Sequence, residues 1–375
     1  MVCRGEASIL KKKNMAKTSH RLSVSAPGRI CLFGEHQDYL GLPVIALAIS
    51  KRMTVQGRVR DDFKILIDLP DIRNREEFNI LEVFPYHKER DYFRSSVHVL
   101  QKAGFTFSHG FECAVRGDIP INAGTSSSSA LVVAWIYFLA QMSDQQKVLT
   151  PEETAKLAHQ SEVLEFNEPG GMMDHYSSAC GRLIYLENFP SIKIQKLSNS
   201  LGFFVLGYSG DPKDTTGLIG RVKKRAETLL HDMKKSNPDI LLQDINRNEL
   251  PPWKKRLSKD QMDLLNGILE TRDITKEALA LLQSKHFSRG DFGKLLTRHH
   301  EILRDVIGVS TTKLDTMLKT ALDAGALGGK LNGSGGGGCM FAYTPENPEK
   351  VKDAIQKMGF DAWIIHDDSG IQISQ

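Results

Sequence analysis

The sequence predicts an α+β protein built from two domains. Three observations carry that expectation. The chain has 375 residues, more than one domain usually holds. Strand-like and helix-like segments are interleaved in both halves rather than gathered into runs of one type. And 41% of the residues are hydrophobic against 25% charged, the balance of a globular chain with a sizeable core.

In chain order, "RLSVSAPGRICLFG" reads as a strand interrupted at Pro27–Gly28. "FTFSHGFECAVRGDIP" alternates with period two over parts of its length, the pattern of a half-buried strand. "GTSSSSALVVAWIYFLA" puts four serines at the mouth of an apolar helix. "LTPEETAKLAHQSEVLEF" opens with Thr150, Pro151 and Glu153, a capping box with proline at the first helical position. The second half is more helical: Gly217–Lys235, Lys259–Gln283 and Thr311–Ala324 carry helix formers with apolar residues three or four apart. A glycine-rich turn at Gly333–Gly338 leads into a strand, "CMFAYT"; a helix near Pro348–Met358 and a final strand, "DAWIIH", follow. The expected division falls near residue 200, giving domains over 21–198 and 199–375. Residues 1–20 read as a disordered tail, with Met15 an alternative start.

The composition excludes several classes of function. The net charge is +4, and the basic clusters at Lys11–Lys13, Lys223–Arg225 and Lys254–Arg256 are scattered. Such runs read as solvated helix faces, not as a nucleic-acid footprint. Apolar runs such as "ALVVAWIYFLA" are too short to span a bilayer, and the basic N-terminus leads into no apolar signal segment. Five dispersed cysteines, Cys3, Cys31, Cys113, Cys180 and Cys339, without a C-x-x-C pair, fit reduced thiols in a cytoplasmic protein.

Four loops carry residues suited to chemistry. The serine run follows Pro120 and Gly124, and a helix N-terminus offers unpaired N–H groups and a positive dipole end to phosphate. One serine suffices as a cap, so four point toward anion binding, with an oversized cap as the alternative. "KLNGSGGGGCMFAY" contains a formal G-x-G-x-x-G, but a β-like segment follows it, which disfavours a dinucleotide site. Its "NGS" at Asn332–Ser334 also matches a glycosylation sequon. "APGRICLFGEHQDYLGLPVIALAI" crowds Arg29, Glu35, His36 and Asp38 between apolar stretches. That set suits a polyhydroxylated ligand, or else is a charged turn. In "SEVLEFNEPGGMMDHYSSACG", Asp174 follows a tight turn among apolar neighbours and could serve as a base. His299–His300 read as a helix face and His366–Asp368 as a turn.

Together these loops resemble the GHMP kinase superfamily, from about residue 22 onward. "APGRICLFGEHQDY" resembles its N-terminal motif, "GDIPINAGTSSSSAL" its phosphate-binding motif and "KLNGSGGGGCMFA" its C-terminal glycine motif, in the family's order. The resemblance implies a two-domain fold with the active site in the cleft between the domains. It implies that Gly124, Thr125, Ser126, Ser127 and Ser128, with Gly335 and Gly336, hold ATP. Ser128 falls on the serine that ligates Mg²⁺, and Glu162 on its acidic partner. Asp174 maps to the catalytic aspartate and Arg29 to the arginine beside it. Glu35, His36 and Asp38 match the galactokinase signature G-E-H-x-D-Y, whose side chains bind sugar hydroxyls.

The departures are specific. Cys31 stands where galactokinases usually have Asn, Thr125 where leucine is usual, and Ser129–Ala130 where Ala–Ser is usual. The turn "LGLPVIA" and the glycine loop lie nearer the mevalonate kinase form. "GYSGDPKDTTGLIGRVKKR" lacks the S-E-Y-x-x-R-R stretch that supplies galactokinases' sugar-contacting tyrosine, which leaves Tyr208 as the candidate for that contact. The expectation is an ATP- and Mg²⁺-dependent kinase acting on the anomeric C1 hydroxyl of a hexose, a monomer or homodimer with small-molecule partners only. Mevalonate kinase and a non-catalytic sugar and ATP sensor are the alternatives.

Overall fold

A computed structural model of the chain describes residues 21–121, 123–211, 215–247, 250 and 252–374. The expected tail, with Cys3 and Met15, lies outside the described residues. In order, the strands are β1 (Arg21–Phe33), β2 (Val44–Val59), β3 (Lys64–Leu69), β4 (Asn74–Asn79), β5 (Phe111–Gly117), β6 (Leu183–Glu187), β7 (Lys193–Leu197), β8 (Phe204–Tyr208), β9 (Gly328–Leu331), β10 (Cys339–Tyr343), β11 (Asp361–Ile365) and β12 (Gln372–Ser374). Among the described residues they form an eight-stranded sheet, in the order β12-β1-β2-β5-β3-β4 with β6 and β7 appended to β2, and a four-stranded sheet in the order β11-β8-β10-β9. The mixed α and β content in both halves is the class the sequence predicts.

Strand β1 runs unbroken through the expected interruption. Pro27 and Gly28 mark a register shift against β2 rather than a break. Gly28 is needed there because a Cβ would sit 2.8 Å from the Thr125 carbonyl oxygen, and the next residue, Arg29, donates its N–H to that same oxygen at 3.1 Å. The bulge therefore presses the strand against the serine loop, a use that bulges commonly serve beside functional sites.

Beyond the bulge, β1 and β2 are buried on both faces. Cys31, Val44 and Ala46 pack into one core with the serine helix (Ser127–Met142). Ile30, Leu32, Ile45 and Leu47 pack into the other, which fills the second half. This explains why their sequence is a continuous apolar run rather than an alternating one. The serine helix is apolar all round because it is enclosed; Trp135 and Phe138 stack at 5.5 Å within it. Thr150 caps the helix Pro151–His159 with the reciprocal Glu153 bond, as the capping box predicts.

In the second half, helices Thr215–Lys234, Lys259–Gln283, Arg289–Ile302, Thr312–Asp323 and Pro348–Lys357 accompany the four-stranded sheet. His299 and His300 lie in the third of these and are buried; His300 Nε2 lies 3.1 Å from Asp315 Oδ1, so both histidines belong to the interior of the fold. The chain then returns to its beginning. Ser23, Val24 and Ser25 pair with Ser374, Ile373 and Gln372. Arg52 fastens this return by donating to Asp368 Oδ2 at 2.8 Å and the Gly370 carbonyl at 2.7 Å. Cys31, Cys113, Cys180 and Cys339 are buried. Among the described residues no helix is long and apolar enough to cross a membrane.

Candidate active site

One cavity opens between the two halves. The turn after β1, the serine loop, the segment from Glu168 to His175, and Ile219, Gly333 and Ser334 of the second half line it. It gathers Arg29, Glu35, His36, Asp38, Gly124, Ser126, Ser127, Ser128, Glu162 and Asp174 from positions far apart in the chain. Thr125, Gly335 and Gly336 are not among the residues that line it. Thr125 is fully buried, Gly335 has its backbone against Val309, and Gly336 donates to the Val309 carbonyl at 2.7 Å. Tyr208 lies at the end of β8, paired with Cys339 and Asp361, and is not among the residues that line the cavity.

At the centre, Arg29 grips Asp174. Its Nε donates to Asp174 Oδ1 at 2.7 Å, and its Nη1 to the Gly124 carbonyl at 2.6 Å. The guanidinium is buried, whereas the Asp174 side chain keeps 31% of its surface exposed to the cavity. Asp174 lies in the first turn of the helix Met173–Cys180, where the helix dipole favours a negative charge. Burial alone would raise its carboxyl, but the Arg29 charge and then the Ser126 hydroxyl outweigh it and hold the group below the usual carboxylate range. Asp174 is thus an ionised acceptor whose geometry is fixed from behind.

The serine loop meets a second carboxylate. Ser126 precedes the helix in a left-handed conformation (φ 60°) and gives no side-chain cap, so the helix start faces the cavity without the cap its composition offers. Glu162 is buried, and His175 Nε2 lies 2.7 Å from its Oε2. Burial opposes its charge; the His175 bond and the hydroxyls of Ser128 and Ser129 win, and its carboxyl is lowered. Among the described residues no three His, Cys, Asp or Glu side chains form a metal cluster. A hydroxyl beside an ionised carboxylate is instead the kind of hard oxygen pair that Mg²⁺ takes up together with phosphate.

The turn after β1 carries the third group. Asp38 is buried and accepts from the Tyr39 N–H at 2.9 Å, while Asn188 holds its backbone carbonyl. Burial, and then the negative charge of Asp174, raise its carboxyl to about 6. The two aspartates are therefore driven apart by their surroundings, the arrangement that lets two carboxylates serve one site in different roles. Gly171 leaves the space that Asp38 occupies: a Cβ there would overlap the Asp38 carboxylate.

Three groups here carry no sequence motif of their own. His175 reads only as the neighbour of Asp174. Asn332 appears in the sequence only as the preface to the glycine loop and as part of a sequon, yet its Nδ2 donates to the Gly124 carbonyl at 2.8 Å and its Oδ1 accepts from the Cys31 N–H at 2.9 Å. Lys330 is fully buried and its Nζ lies 2.7 Å from Glu35 Oε2. Leaving either charge of such a buried pair alone costs about 3–5 kcal/mol. Nothing in "GGKL" marks the strand as buried, and only its enclosure in the fold shows that the ammonium needs a carboxylate.

Comparison with known proteins bears on the same residues. Residues 91–182 match the GHMP kinases N terminal domain, residues 277–361 the GHMP kinases C terminal region, and residues 13–59 the galactokinase galactose-binding signature. A mevalonate kinase of Thermococcus sibiricus is 30% identical over 350 residues, 90% of this chain and 94% of that protein. A galactokinase of Streptococcus thermophilus is 30% identical over 365 residues, 89% of this chain and 87% of its own length. The structure of Lactococcus lactis galactokinase complexed with galactose superposes with a TM-score of 0.84 at 23% identity, covering 98% of this chain and 99% of that one. The chain belongs to the GHMP kinases, ATP-dependent phosphotransferases that act on the hydroxyl groups of small molecules.

Proposed function

We propose that this chain transfers the γ-phosphate of ATP to a sugar hydroxyl, the anomeric C1 hydroxyl of a hexose, with Mg²⁺ held by Ser128 and Glu162. The observation that carries the reading is the acceptor end of the cavity. Asp38 and Asp174 are two carboxylates facing one space, and carboxylates accept hydrogen bonds from neutral hydroxyls. The match of residues 13–59 to a galactose-binding signature supports the same choice.

The residues divide the work as follows. The N-terminus of the serine helix receives phosphate oxygens on its N–H groups. Ser128 and Glu162 would supply oxygen ligands to Mg²⁺, which would neutralise charge on the phosphates when bound. Arg29 sets its charge beside the transferring group and orients Asp174. Asp174 accepts the hydrogen bond of the attacking hydroxyl, orients its oxygen for in-line attack on the γ-phosphorus, and takes its proton as the new O–P bond forms and the bond from the γ-phosphorus to the bridging oxygen breaks, releasing ADP. In-line positioning and charge neutralisation are what phosphoryl transfer chiefly requires. Asp38 holds the sugar through a neighbouring hydroxyl.

Mevalonate is the second reading, favoured by the 30% identity to a mevalonate kinase. Its carboxylate would need an unpaired cation at the acceptor end. The two arginines of the lining are committed, Arg29 to Asp174 and Arg90 to Glu168, and Asp38 and Asp174 repel an anion. The acidic pair favours a neutral polyol; Lys223, whose Nζ lies 5.8 Å from the centroid of the Tyr39 ring, is the cation that a mevalonate carboxylate would call on.

Asp38→Ala is expected to raise sugar KM by about tenfold or more while ATP KM moves by less than about threefold, the signature of a lost ground-state contact. Because the Asp38 carboxyl titrates at about 6, the wild-type sugar KM is expected to rise as pH falls from 7.5 through that value. Protonation removes the charge and turns one of the two acceptor oxygens into a donor, and Asp38→Asn, which does not titrate, should flatten the dependence. Equal effects on both substrates, or an identical pH profile in Asp38→Asn, would count against the sugar contact.

A further inference from the structure

We propose that Lys330 is a positioning residue for the acceptor site, acting through Glu35 across the divide between the two halves of the chain. Lys330 stands on β9 in the second half, and its Nζ donates to Glu35 Oε2 at 2.7 Å and to the Cys31 carbonyl at 2.9 Å. Both acceptors belong to the end of β1 and the turn that follows it. The ammonium also lies 5.3 Å from the centroid of the Phe341 ring, so it is enclosed by groups that favour its charge. Its partner Glu35 is buried as well. The pair therefore links two segments 295 residues apart in sequence.

The attachment is repeated along the same stretch. His36 Nε2 lies 3.0 Å from the Ser334 carbonyl oxygen. Asn332 ties Cys31 to Gly124 through its two amide atoms. Residues 330–334 thus hold the 29–36 segment at three points. That segment needs holding: Gly34 and His36 both have positive φ, 88° and 61°, a conformation that only Gly adopts freely. Asp38 and the acceptor end of the cavity begin two residues later. Glu35, which by resemblance is assigned to sugar, has one carboxylate oxygen committed to Lys330, and its charge is cancelled before any acceptor arrives. Lys330 fixes the turn, and through it the place of Asp38.

The inference rests on the reading that the 34–39 turn meets the acceptor, whichever acceptor that is. It is tested on the full-length protein with Lys330→Met, Glu35→Gln and the double variant, measuring thermal midpoint and KM for both substrates. The acceptor used is whichever of hexoses, uronic acids and mevalonate supports ADP release, so a failed sugar reading leaves the test in force. Each single variant is expected to raise acceptor KM by about tenfold or more with ATP KM within about threefold. The double variant is expected to show the acceptor KM of a single one, because one link is broken once. It is also expected to melt above Lys330→Met, since no unpaired charge remains buried. Should Lys330→Met not fold, the double variant against Glu35→Gln gives the same comparison. Acceptor and ATP KM rising together, or single effects on acceptor KM that multiply in the double variant, would overturn the proposal. So would an acceptor KM that Lys330→Met leaves unchanged.

Discussion

Asp174→Asn is expected to lower kcat by about 10²–10⁴, the range of a lost general base, while ATP affinity stays within about threefold. Asn preserves the size of the side chain and can still accept the Arg29 bond at its amide oxygen. It cannot take up a proton, and it turns an N–H toward the space where the acceptor hydroxyl must donate. Because Arg29 holds the native carboxyl below the usual range, Asp174 is a weak base in its resting state. Its contribution then falls on orientation and on receiving the proton late, as a loose phosphoryl-transfer transition state allows. Single-turnover ADP release separates this loss from product release, and a nucleotide titration checks the ATP site. Equal turnover by variant and wild type would remove Asp174 from the reaction.

Arg29→Met is expected to lower kcat by about 10²–10³, the loss typical of one preorganised charge at the reacting centre. It carries a second consequence with a definite sign. In the native protein burial raises the Asp174 carboxyl and Arg29 lowers it, with the lowering dominant. Removing the guanidinium leaves burial unopposed by its strongest counterweight, so the carboxyl rises. The acid limb of the kcat–pH profile then moves to higher pH in the variant. Stability follows the same logic: the depressed carboxyl stabilises the native fold above its unfolded pKa, and that contribution disappears as pH falls through the native value. Arg29→Met loses it at neutral pH. A pH–rate profile of both proteins reads the shift, and a limb that does not move would show that Asp174 does not titrate in the rate.

Much of this was legible where chemistry is local. The Thr150 capping box is satisfied within four residues, and its sequence sufficed to place a helix start. The apolar run after the serines announced a buried helix, and Pro169–Gly170–Gly171 before Asp174 announced a turn that leaves a carboxylate half-enclosed. The interruption at Pro27–Gly28 misled because two helix- and strand-breaking residues in a row ordinarily end an element. Here a bulge uses both, and the reason lies in the Thr125 carbonyl, far along the chain. Strand β12 was invisible for a related cause: its three residues are exposed and only Ile373 among them is apolar, so no alternation marks them, and pairing with β1 is what makes them a strand.

The site shows the same division. Asp174 and Arg29 each sit in a stretch that announces itself, but their 2.7 Å contact spans 145 residues. His175 was hidden behind its neighbour, and nothing in "MDHY" says that it reaches Glu162. Lys330 and Asn332 were read as the preface to a glycine loop, although both side chains turn back into the first half. Buried polar groups find partners by topology, and topology is what a linear reading lacks. Tyr208, at the end of β8, is not among the residues that line the cavity, and its place across the sheet could not be read from its composition.

The identity of the acceptor decides between a sugar kinase and a mevalonate kinase. ADP release measured with ATP and Mg²⁺ across galactose, other hexoses, uronic acids and mevalonate tests it in one series. A neutral hexose is expected to be turned over with a kcat/KM about 100-fold or more above that of mevalonate, the discrimination a site built to hydrogen-bond hydroxyls gives over an acceptor that leaves those groups unpaired. Turnover of mevalonate with no hexose accepted would contradict the account.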